Sequence, residues 1–369
     1  MLESFSLLHA GSSIQSAVSL GRRERDVDVE HGSGFVDYLS AASEILAAAD
    51  YFGPGALETP HYEQEILDLV RRRGALGQRA RRVPGTGQPS RYFEQTRIAS
   101  GTFRDPRNLQ FAGSNDPTRR ERAVTIKALQ SGINFGLFDV EVTRQQGQFS
   151  QLVAKDIMDT VQGVLRTSDT ALWNGSDTDL VNPVSLEYVG LLTQINRTAS
   201  IASTASIVDG LKAEVASMMA NTSFAVRPSA IYVNPVLGDL IDQEERLNHR
   251  QMGKVEVVAG LLVNALATQA GELPLVPDWA LPSVTSATES GKTDYRAVIV
   301  MESLIEFHYM TTPDPRVFPL GLEGNLATRY SVVLFDAPVA KGKANANQDQ
   351  ATTESSQTSY AHSVVTVTR

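Results

Sequence analysis

A basic stretch that is poor in apolar residues runs from Arg71 to Lys127, and it limits what this chain can fold into. It holds fourteen arginine and lysine residues against four acidic residues. Gly, Pro, Ser and other polar residues fill much of the remainder, so the stretch cannot bury a core of its own. A long helical pattern follows soon after it. This order predicts an extended arm that reaches a neighbouring subunit, and it points away from a self-contained enzyme.

The charge of the chain is unevenly distributed. The formal net charge is −9, and the basic stretch contributes +10 (14 − 4), so the remainder carries −19 (−9 − 10). This asymmetry favours docking of the basic stretch on an acidic neighbour, including another copy of the chain, over an ordinary solvated surface. The overall acidic balance argues against a protein that coats nucleic acid along its whole length.

Composition and length set further limits. The chain has 369 residues, of which 42% are hydrophobic, enough for one sizeable core or two linked cores. It contains no cysteine, which excludes disulfides, thiolate metal sites and cysteine nucleophiles and fits synthesis in a reducing cytoplasm. Residues 1–10 lack the pattern of a signal peptide. No apolar run approaches the ~20 residues that span a bilayer, so we expect a soluble protein.

One long helix is predicted from Ser150, a good N-cap, to Trp173. At ~1.5 Å per residue it spans roughly 35 Å. Gly175 is expected to close it in the left-handed conformation. Its apolar stripe needs a sheet, and the nearest candidate is the strand pattern of residues 123–142. The stripe consists of Val153, Ile157, Val161, Val164, Leu165, Ser168 and Leu172.

Capping and alternation predict most of the remaining elements. Ser206 caps one helix, and Asn234-Pro235 ends the strand Ala230–Val233 and opens another helix. A terminal strand, His362–Thr368, is expected to add to a sheet edge. Two helices are expected near the N-terminus, one before Gly53 and one opened by Pro60. Further strands are predicted at Arg79–Val83, Tyr92–Ile98, Val255–Ala259, Leu261–Ala265, Ala297–Met301 and Thr328–Phe335.

No pattern in the chain predicts catalysis, a cofactor or a metal site. The six histidines are scattered and none has the spacing of a metal-ligand pair. Asp26, Asp28 and Glu30 have alternate spacing, but the later glutamate of a calcium loop is missing. Gly85-Thr86-Gly87 is followed by neither a helix nor a Lys-Ser/Thr pair, so it is no phosphate loop. We therefore expect a protein that is not an enzyme.

Two interpretations of the arginines remain open. Aromatic residues alternate with them, including Tyr92, Phe93 and Phe103, which would suit contact with nucleic acid. Acidic residues interrupt the stretch, however, and no helix that could read a DNA groove is recognisable. Arginine also pairs bidentately with carboxylates at protein interfaces, and we favour inter-subunit pairing.

The order of these segments resembles the major capsid proteins of tailed bacteriophages, which have the HK-ninety-seven-type fold. The residues that carry the resemblance are Asp169-Thr170-Ala171-Leu172-Trp173-Asn174-Gly175 at the helix end and Ala230-Ile231-Tyr232-Val233-Asn234-Pro235 before the next helix. The resemblance implies an α+β fold with an N-terminal arm and an extended β-hairpin, the E-loop. A long spine helix would lie on the sheet of a peripheral domain, beside a mixed α/β apical domain.

The resemblance also implies boundaries. The arm would be 1–60, followed by the peripheral-domain helix and strands at 61–149 with the E-loop at about 79–118. The spine helix with more of the peripheral domain would be 150–187, and the apical domain 188–312. The chain would return to the peripheral domain at 313–340 and end in a linker and terminal strand at 341–369.

The function implied by the resemblance is a virion head protein, made in the bacterial host cytoplasm, that self-assembles as pentamers and hexamers into an icosahedral shell around double-stranded DNA. Portal, scaffold and cement proteins would be partners, packaged DNA only a non-specific content, and no membrane would be involved. An encapsulin-like compartment, expected to be shorter and without the long arm, and a DNA-binding protein are the alternatives. The expected loop-side anchors are Arg81, Arg82, Arg91, Arg97, Arg104 and Arg107, with Glu65, Asp68, Asp156 and Asp159 as acceptors.

Overall fold

Two β-sheets and one long helix organise the part of the chain that the structure describes. The computed structural model describes residues 73–99, 101–107, 117–138, 141, 152–221, 224–248, 252–258, 261–323, 327–344 and 358–369, all within the unit Asp68–Arg369. The predicted N-terminal arm and the two helices expected near Gly53 and Pro60 lie outside these residues. The helices are α1 (Ala75–Arg79), α2 (Leu152–Asn174), α3 (Leu191–Gln194), α4 (Ile207–Met219) and α5 (Pro235–Leu247).

A five-stranded sheet supports the long helix. Its longest strand, Ala327–Ala340, pairs with three of the others. At Asp336 it pairs with Tyr309 on one side and with Lys127 on the other. The buried side chains of Val164 and Leu165 in α2 pack on the same strand. The predicted helix and its expected position on the strands before it are thus found. The strands are β1 (Arg81–Pro84), β4 (Lys127–Gly136), β12 (Ile305–Tyr309), β13 (Arg316–Glu323) and β14 (Ala327–Ala340).

An eight-stranded sheet forms the second layer and is covered on both faces. Alternate residues of one strand show this: Ile231 and Val233 face α4 and α5, whereas Ala230 and Tyr232 face the opposite core. A strand buried on both faces reads as a continuous apolar run, as Ala230–Val233 does. The strands are β5 (Thr198–Ile201), β6 (Ala230–Val233), β7 (Gly253–Val258), β8 (Leu261–Thr268), β9 (Gly271–Pro277), β10 (Ser283–Thr285), β11 (Thr293–Val300) and β17 (Ser363–Thr368).

The two predicted helix caps are present. The Ser206 hydroxyl accepts a hydrogen bond from the Asp209 backbone N–H at 3.1 Å and starts α4. The Asn234 side chain accepts from the Val236 N–H at 3.0 Å, and Pro235 occupies the first turn of α5, where its missing N–H costs nothing. These local signals place both helices against the eight-stranded sheet.

The position expected for the terminal strand was wrong. β17 does not lie at a sheet edge, because it pairs antiparallel with β11 on one side and parallel with β5 on the other. Val365 and Val367 are fully buried, as expected for a strand in the interior of a sheet. The short strand β5, which has no strong β pattern, is the element that covers this edge.

Two smaller ribbons complete the described fold. β15 (Lys343–Ala344) pairs with β16 (Thr358–Ser359). β2 (Ser90–Arg97) pairs antiparallel with β3 (Thr118–Val124) and, among the described strands, with no other. The β2–β3 ribbon, together with residues 98–117 that connect its strands in sequence, is called the hairpin below.

Candidate inter-subunit surface

The hairpin has one face against the protein and one face in solvent. Ser90 and Val124, which pair across the two strands, are buried, and Arg122 is also buried. On the opposite face, the side chains of Arg91 and Phe93 are exposed. Side chains alternate along a strand, so the whole outer face of the hairpin is open to a partner.

Three contacts hold the base of the hairpin on the five-stranded sheet and the segment that follows it, and an ion pair between Arg122 and Glu94 joins its two strands. Ser90 Oγ lies 2.9 Å from His308 Nδ1, and Arg122 Nε donates to Glu94 at 3.3 Å. The second oxygen of Glu94 accepts from the Gly342 N–H at 2.8 Å. The Lys341 ammonium lies 4.9 Å from the centre of the Tyr92 ring. The base is therefore fixed, although the outer face is free.

Apolar side chains are exposed along the far part of the hairpin. The exposed fractions are 73% for Phe93, 73% for Ile98 and 106% for Phe103. Arg104 and Arg107 close by are also exposed. A single exposed apolar residue is ordinary, but three large ones among cations on one extended segment indicate a contact surface.

The predicted anchors do not all lie on this surface. Arg81 and Arg82 belong to β1, which pairs parallel with β12, and not to the hairpin. Arg91 lies on the outer face, where it pairs with Glu121 at 2.8 Å. Arg97 ends β2, but its side chain lies outside the described part of the structure. Arg81 is 72% exposed and 4.0 Å from Glu306, so it can still reach a neighbour.

Arg82, another expected anchor, makes contacts inside its own subunit. Its side chain is only 18% exposed and lies 3.8 Å from the buried Asp336 carboxylate. The guanidinium also donates to the Pro313 carbonyl and stacks 5.2 Å from the centre of the Phe307 ring. Arg82 therefore lies against a buried carboxylate of its own subunit, and it is less exposed than Arg81 or Arg91.

The predicted acceptors lie in two regions. Glu65 and Asp68 fall outside the described residues. Asp156 and Asp159 are half-buried in the first turns of α2. They are three residues apart and therefore point from the same side of the helix, where a basic partner segment could contact both.

An ordered loop directly after α2 was missed by the sequence analysis. It spans residues 176–187 and is called the Asp177 loop. The Asp177 carboxylate is buried, accepts from Lys127 Nζ at 2.6 Å, and accepts from the N–H groups of Thr178 and Val184 at 2.8 and 3.0 Å. Burial alone would raise the pKa of Asp177, but these donors outweigh it and lower the pKa to about 2.

The Asp177 loop presents apolar side chains outward. Val184 is 81% exposed and Leu186 is 93% exposed. Lys127 also donates to the Ser185 carbonyl, between these two residues. The signal that could have revealed the loop is a run without any lysine or arginine between Arg166 and Arg197, with Asp179 and Glu187 near its apolar residues.

Two glycines close this loop, and the reason differs from the expected one. Gly175 does not adopt the left-handed conformation predicted for it; the described glycines with positive φ are Gly87, Gly271, Gly291 and Gly342. Instead, a Cβ on Gly175 would lie 2.3 Å from the Tyr188 carbonyl oxygen. A Cβ on Gly190 would lie 2.6 Å from the Gly175 nitrogen. The two backbone segments cross so closely that only glycine fits.

A buried carboxylate pair fixes the point where residues 73–79 meet the long helix. Asp169 accepts from the Gly74 N–H at 2.7 Å and from Arg73 Nε at 3.1 Å. Asp278 accepts from the Leu76 N–H at 3.1 Å and from Trp173 Nε1 at 3.2 Å. Burial raises the pKa of Asp169, which the donors from Gly74 and Arg73 partly oppose. These bonds fix residues 73–79 against the long helix and the segment that holds Asp278.

Within the described ranges, no group of histidine and acidic side chains has the geometry to hold a metal ion. In the same part of the chain, no helix is both long enough and apolar enough to cross a membrane.

Comparison with known proteins shows similarity in structure alone. No protein-family model matches the sequence, and no curated protein matches it. The head structure of Helicobacter pylori bacteriophage KHP40 matches with a TM-score of 0.60 and 8% identity, over 85% of this chain and 95% of that chain. The capsid of a native GTA particle matches with a TM-score of 0.55 and 10% identity, over 86% and 98%.

A further match is the SrpI encapsulin of Synechococcus elongatus, with a TM-score of 0.56 and 14% identity, over 86% of this chain and 94% of that chain. The expected α+β architecture is confirmed by these matches. The long helix on the five-stranded sheet, the hairpin and the eight-stranded sheet together give this chain the fold of the major capsid proteins of tailed bacteriophages.

Proposed function

We propose that this chain is the major shell subunit of a tailed-bacteriophage head and that many copies assemble into an icosahedral shell around double-stranded DNA. The observation that carries the proposal is the hairpin, whose base is fixed by Ser90 and Glu94 while its outer face exposes Phe93. A segment that exposes large apolar side chains and cations suits contact between copies. The head-structure matches, which cover most of both chains, support the same function.

In the proposed shell, the hairpin of one subunit lies across the five-stranded sheet and α2 of its neighbour. The segment 1–60 reaches a further neighbour, and the eight-stranded sheets meet around five-fold and six-fold axes. Arg91, Arg104 and Arg107 are the proposed loop-side contacts, with Arg81 beside them and Asp156 and Asp159 as acceptors. Because many modest contacts act together in a closed shell, assembly is far more stable than any single pair of subunits. Portal, scaffold and cement proteins are further proposed partners.

The hairpin supplies the direct test. Residues 98–117 would be replaced by Asn-Gly, a two-residue turn that keeps both strands paired. We expect a folded subunit that elutes as small oligomers, whereas the unmodified chain forms megadalton particles visible by negative-stain microscopy. Closed shells at normal yield from the shortened chain would contradict the proposed role of the hairpin. The matched control removes residues 347–354 from the polar stretch between β15 and β16, which no proposed contact uses, and should assemble normally.

An encapsulin-type compartment is the second candidate, because the Synechococcus elongatus encapsulin matches as well as the phage heads do. The two functions differ in what the particle contains. Particles purified from the natural host lysate would hold nuclease-protected DNA if the chain forms a phage head. Particles that hold a protein cargo and no protected DNA would favour the compartment.

The DNA-binding alternative is less well supported. Several cations of the basic stretch pair with carboxylates of their own subunit: Arg79 bonds Glu302 at 2.7 Å and Lys127 bonds Asp177 at 2.6 Å. Arg122 is paired with Glu94 in the same way. These charges are therefore not available to phosphates. Retention on heparin that falls steeply with salt, from a chain that forms no particles, would reverse this preference.

A further inference from the structure

Hydrogen bonds within the Asp177 loop hold its backbone in one conformation. Asp177 Oδ1 accepts from the N–H groups of Thr178 and Val184, and Ser176 Oγ bonds Ser185 Oγ at 2.7 Å. The Ser176 N–H also donates to Glu187 at 3.0 Å. Leu180 anchors the loop in a buried apolar cluster, whereas Val184 and Leu186 remain in solvent. A loop fixed in advance loses little conformational entropy when it binds, which suits a docking site.

The negative charge of the Asp177 loop favours a basic partner. Between Arg166 and Arg197 the chain has four acidic residues and no lysine or arginine. Asp177 is already paired with Lys127, so Asp179 and the exposed Glu187 give the loop surface its negative charge. The complementary partner must therefore present apolar side chains among cations.

The end of the hairpin has this character, and the N-terminal segment does not. Residues 1–72 carry five basic and twelve acidic residues, a net charge of −7 (5 − 12), and would be repelled. The hairpin segment 97–107 carries Arg97, Arg104 and Arg107 against Asp105, a net charge of +2 (3 − 1), and exposes Ile98 and Phe103. In both its charge and its exposed apolar side chains, the hairpin fits the loop.

We infer that the Asp177 loop is the receptor for the hairpin of a second copy, with Ile98 and Phe103 of one subunit seated on Val184 and Leu186 of the next. This inference rests on the proposed shell function and names the contact within it. The surfaces that meet are different on the two subunits, so the contact is head-to-tail. Repeated around an axis, such a contact closes a ring and leaves no free loop or hairpin.

Disulfide trapping tests the contact directly, because the chain contains no cysteine of its own. Single variants Phe103→Cys and Leu186→Cys would be purified separately, mixed under assembly conditions and treated with a mild thiol oxidant. We expect covalent dimers on non-reducing gels from the mixture and not from either variant alone. The double variant Phe103→Cys/Leu186→Cys should give a ladder of multimers that ends at the ring size.

Two control pairs decide between receptors. Phe103→Cys with Leu262→Cys, an exposed leucine of β8, should give no cross-link. Phe103→Cys with Met158→Cys, an exposed residue of α2, tests whether the hairpin end rests on the long helix instead. If shells form and only the Met158 pair cross-links, the Asp177 loop is not the receptor and the proposed function stands. If the unmodified chain forms no particles, the proposed function and this contact both fail.

Serine variants provide an independent measurement. Leu186→Ser should leave the melting temperature within about 1 °C, because an exposed side chain adds little to stability. It should reduce the yield of shells at least tenfold, whereas Leu186→Ile, which keeps an apolar side chain at this position, should leave the yield unchanged. Normal yield from the double variant Val184→Ser/Leu186→Ser would overturn the inference.

Discussion

At the residue scale, two buried aspartates have opposite pKa shifts because their donors differ. Asp177 receives an ammonium and several backbone N–H groups, which lower its pKa to about 2 despite burial. Asp336 is fully buried, and burial raises its pKa to about 6, although the Tyr188 hydroxyl donates to it and Arg82 lies nearby. The second oxygen of Asp336 accepts no hydrogen bond from any residue that the structure describes. Its ionised form is therefore poorly stabilised.

The variant Asp336→Asn tests this shift through the pH dependence of stability. The folded pKa of about 6 lies above the ordinary 3.8, so the folded state binds the proton more tightly than the unfolded state. The protonated Asp336 carboxyl group contributes fully to the free energy of unfolding below about pH 4. This contribution, up to about 3 kcal/mol, is lost as the pH rises through 6. The difference in unfolding free energy between the asparagine variant and the wild type should rise from pH 4 to pH 7.

Urea unfolding of the unassembled subunit at several pH values provides the measurement. Asp169, whose pKa is also raised, remains in the variant. The unfolding free energy of the variant therefore still falls to some extent as the pH rises. The pKa of His308 is lowered by burial and by Lys341, against the effect of Glu306, so His308 contributes the opposite slope below its ordinary 6.5. A difference between variant and wild type that does not change with pH would refute the raised pKa of Asp336.

A pair of alanine variants tests the glycine crossing. Gly175→Ala places a Cβ 2.3 Å from the Tyr188 carbonyl and 2.8 Å from that of Ala171, both backbone atoms that cannot move aside. We expect it to destabilise the fold by about 2–4 kcal/mol, as steric strain in a packed region does. Gly163→Ala in the same helix meets nothing within 4 Å and should stabilise by about 1 kcal/mol. Melting temperatures that move in the same direction for both would contradict the close crossing.

At the element scale, the terminal strand β17 holds the eight-stranded sheet together. It lies between β5 and β11, and its Val365 and Val367 join the core beneath α4. Without it, the backbone groups of both neighbours would be left unpaired. The sheet therefore cannot reach its final form until the end of this sequence has been added.

Removal of residues 358–369 tests this role. We expect the shortened chain to lose the fixed packing of the eight-stranded sheet, seen as loss of near-ultraviolet circular dichroism and rapid proteolysis between residues 198 and 300. A synthetic peptide of residues 358–369 should restore protection when added in excess, and a scrambled peptide should not. Protection of the shortened chain without any peptide would show that β17 is dispensable.

The elements that could be predicted from the sequence have local signals. Ser206 and Asn234-Pro235 mark helix starts by side-chain caps that act within three residues. β12 (Ile305–Tyr309) was missed although its residues alternate, but other missed strands break the usual pattern. β9 contains Pro274, and β13 contains Pro319 beside a register shift at Gly321. β5 has only four residues, and its partner β17 is about 165 residues away in sequence, so neither the strand nor its position has a local signal.

The candidate surface was predictable only as a charged segment. The sequence shows where arginines are concentrated, but it does not show which of them a carboxylate of the same subunit will neutralise. Arg82 meets Asp336, which is 254 residues later, and this pairing depends on the sheet as a whole. The exposure of Phe103 and Leu186 likewise depends on long-range packing, because apolar residues in a sequence normally predict burial.

At the scale of the whole molecule, each subunit of the proposed shell both donates a hairpin and receives one. A subunit without residues 98–117 can still receive but cannot donate. Since a ring closes only when every member donates, ~20% of shortened subunits would leave roughly a quarter of six-membered rings complete. Shell yield should therefore fall much faster than the fraction of shortened chain.

Mixed assembly at increasing fractions of the shortened chain provides the measurement, with particle yield determined by sedimentation. The control is the chain without residues 347–354, which should leave the yield unchanged at every fraction. A yield that falls only in proportion to the shortened fraction would mean that subunits join independently of one another.

The core that lies between the two sheets has a mechanical consequence. Leu172 and Trp173 of α2 contact both Val300 of the eight-stranded sheet and Phe307 of the five-stranded sheet in one buried cluster. The short 3₁₀ turn Glu302–Leu304 joins β11 directly to β12, with no flexible linker between the sheets. The two sheets are therefore expected to move together as one rigid body. If such particles swell as they fill, whole subunits must pivot against one another, because neither sheet can yield separately.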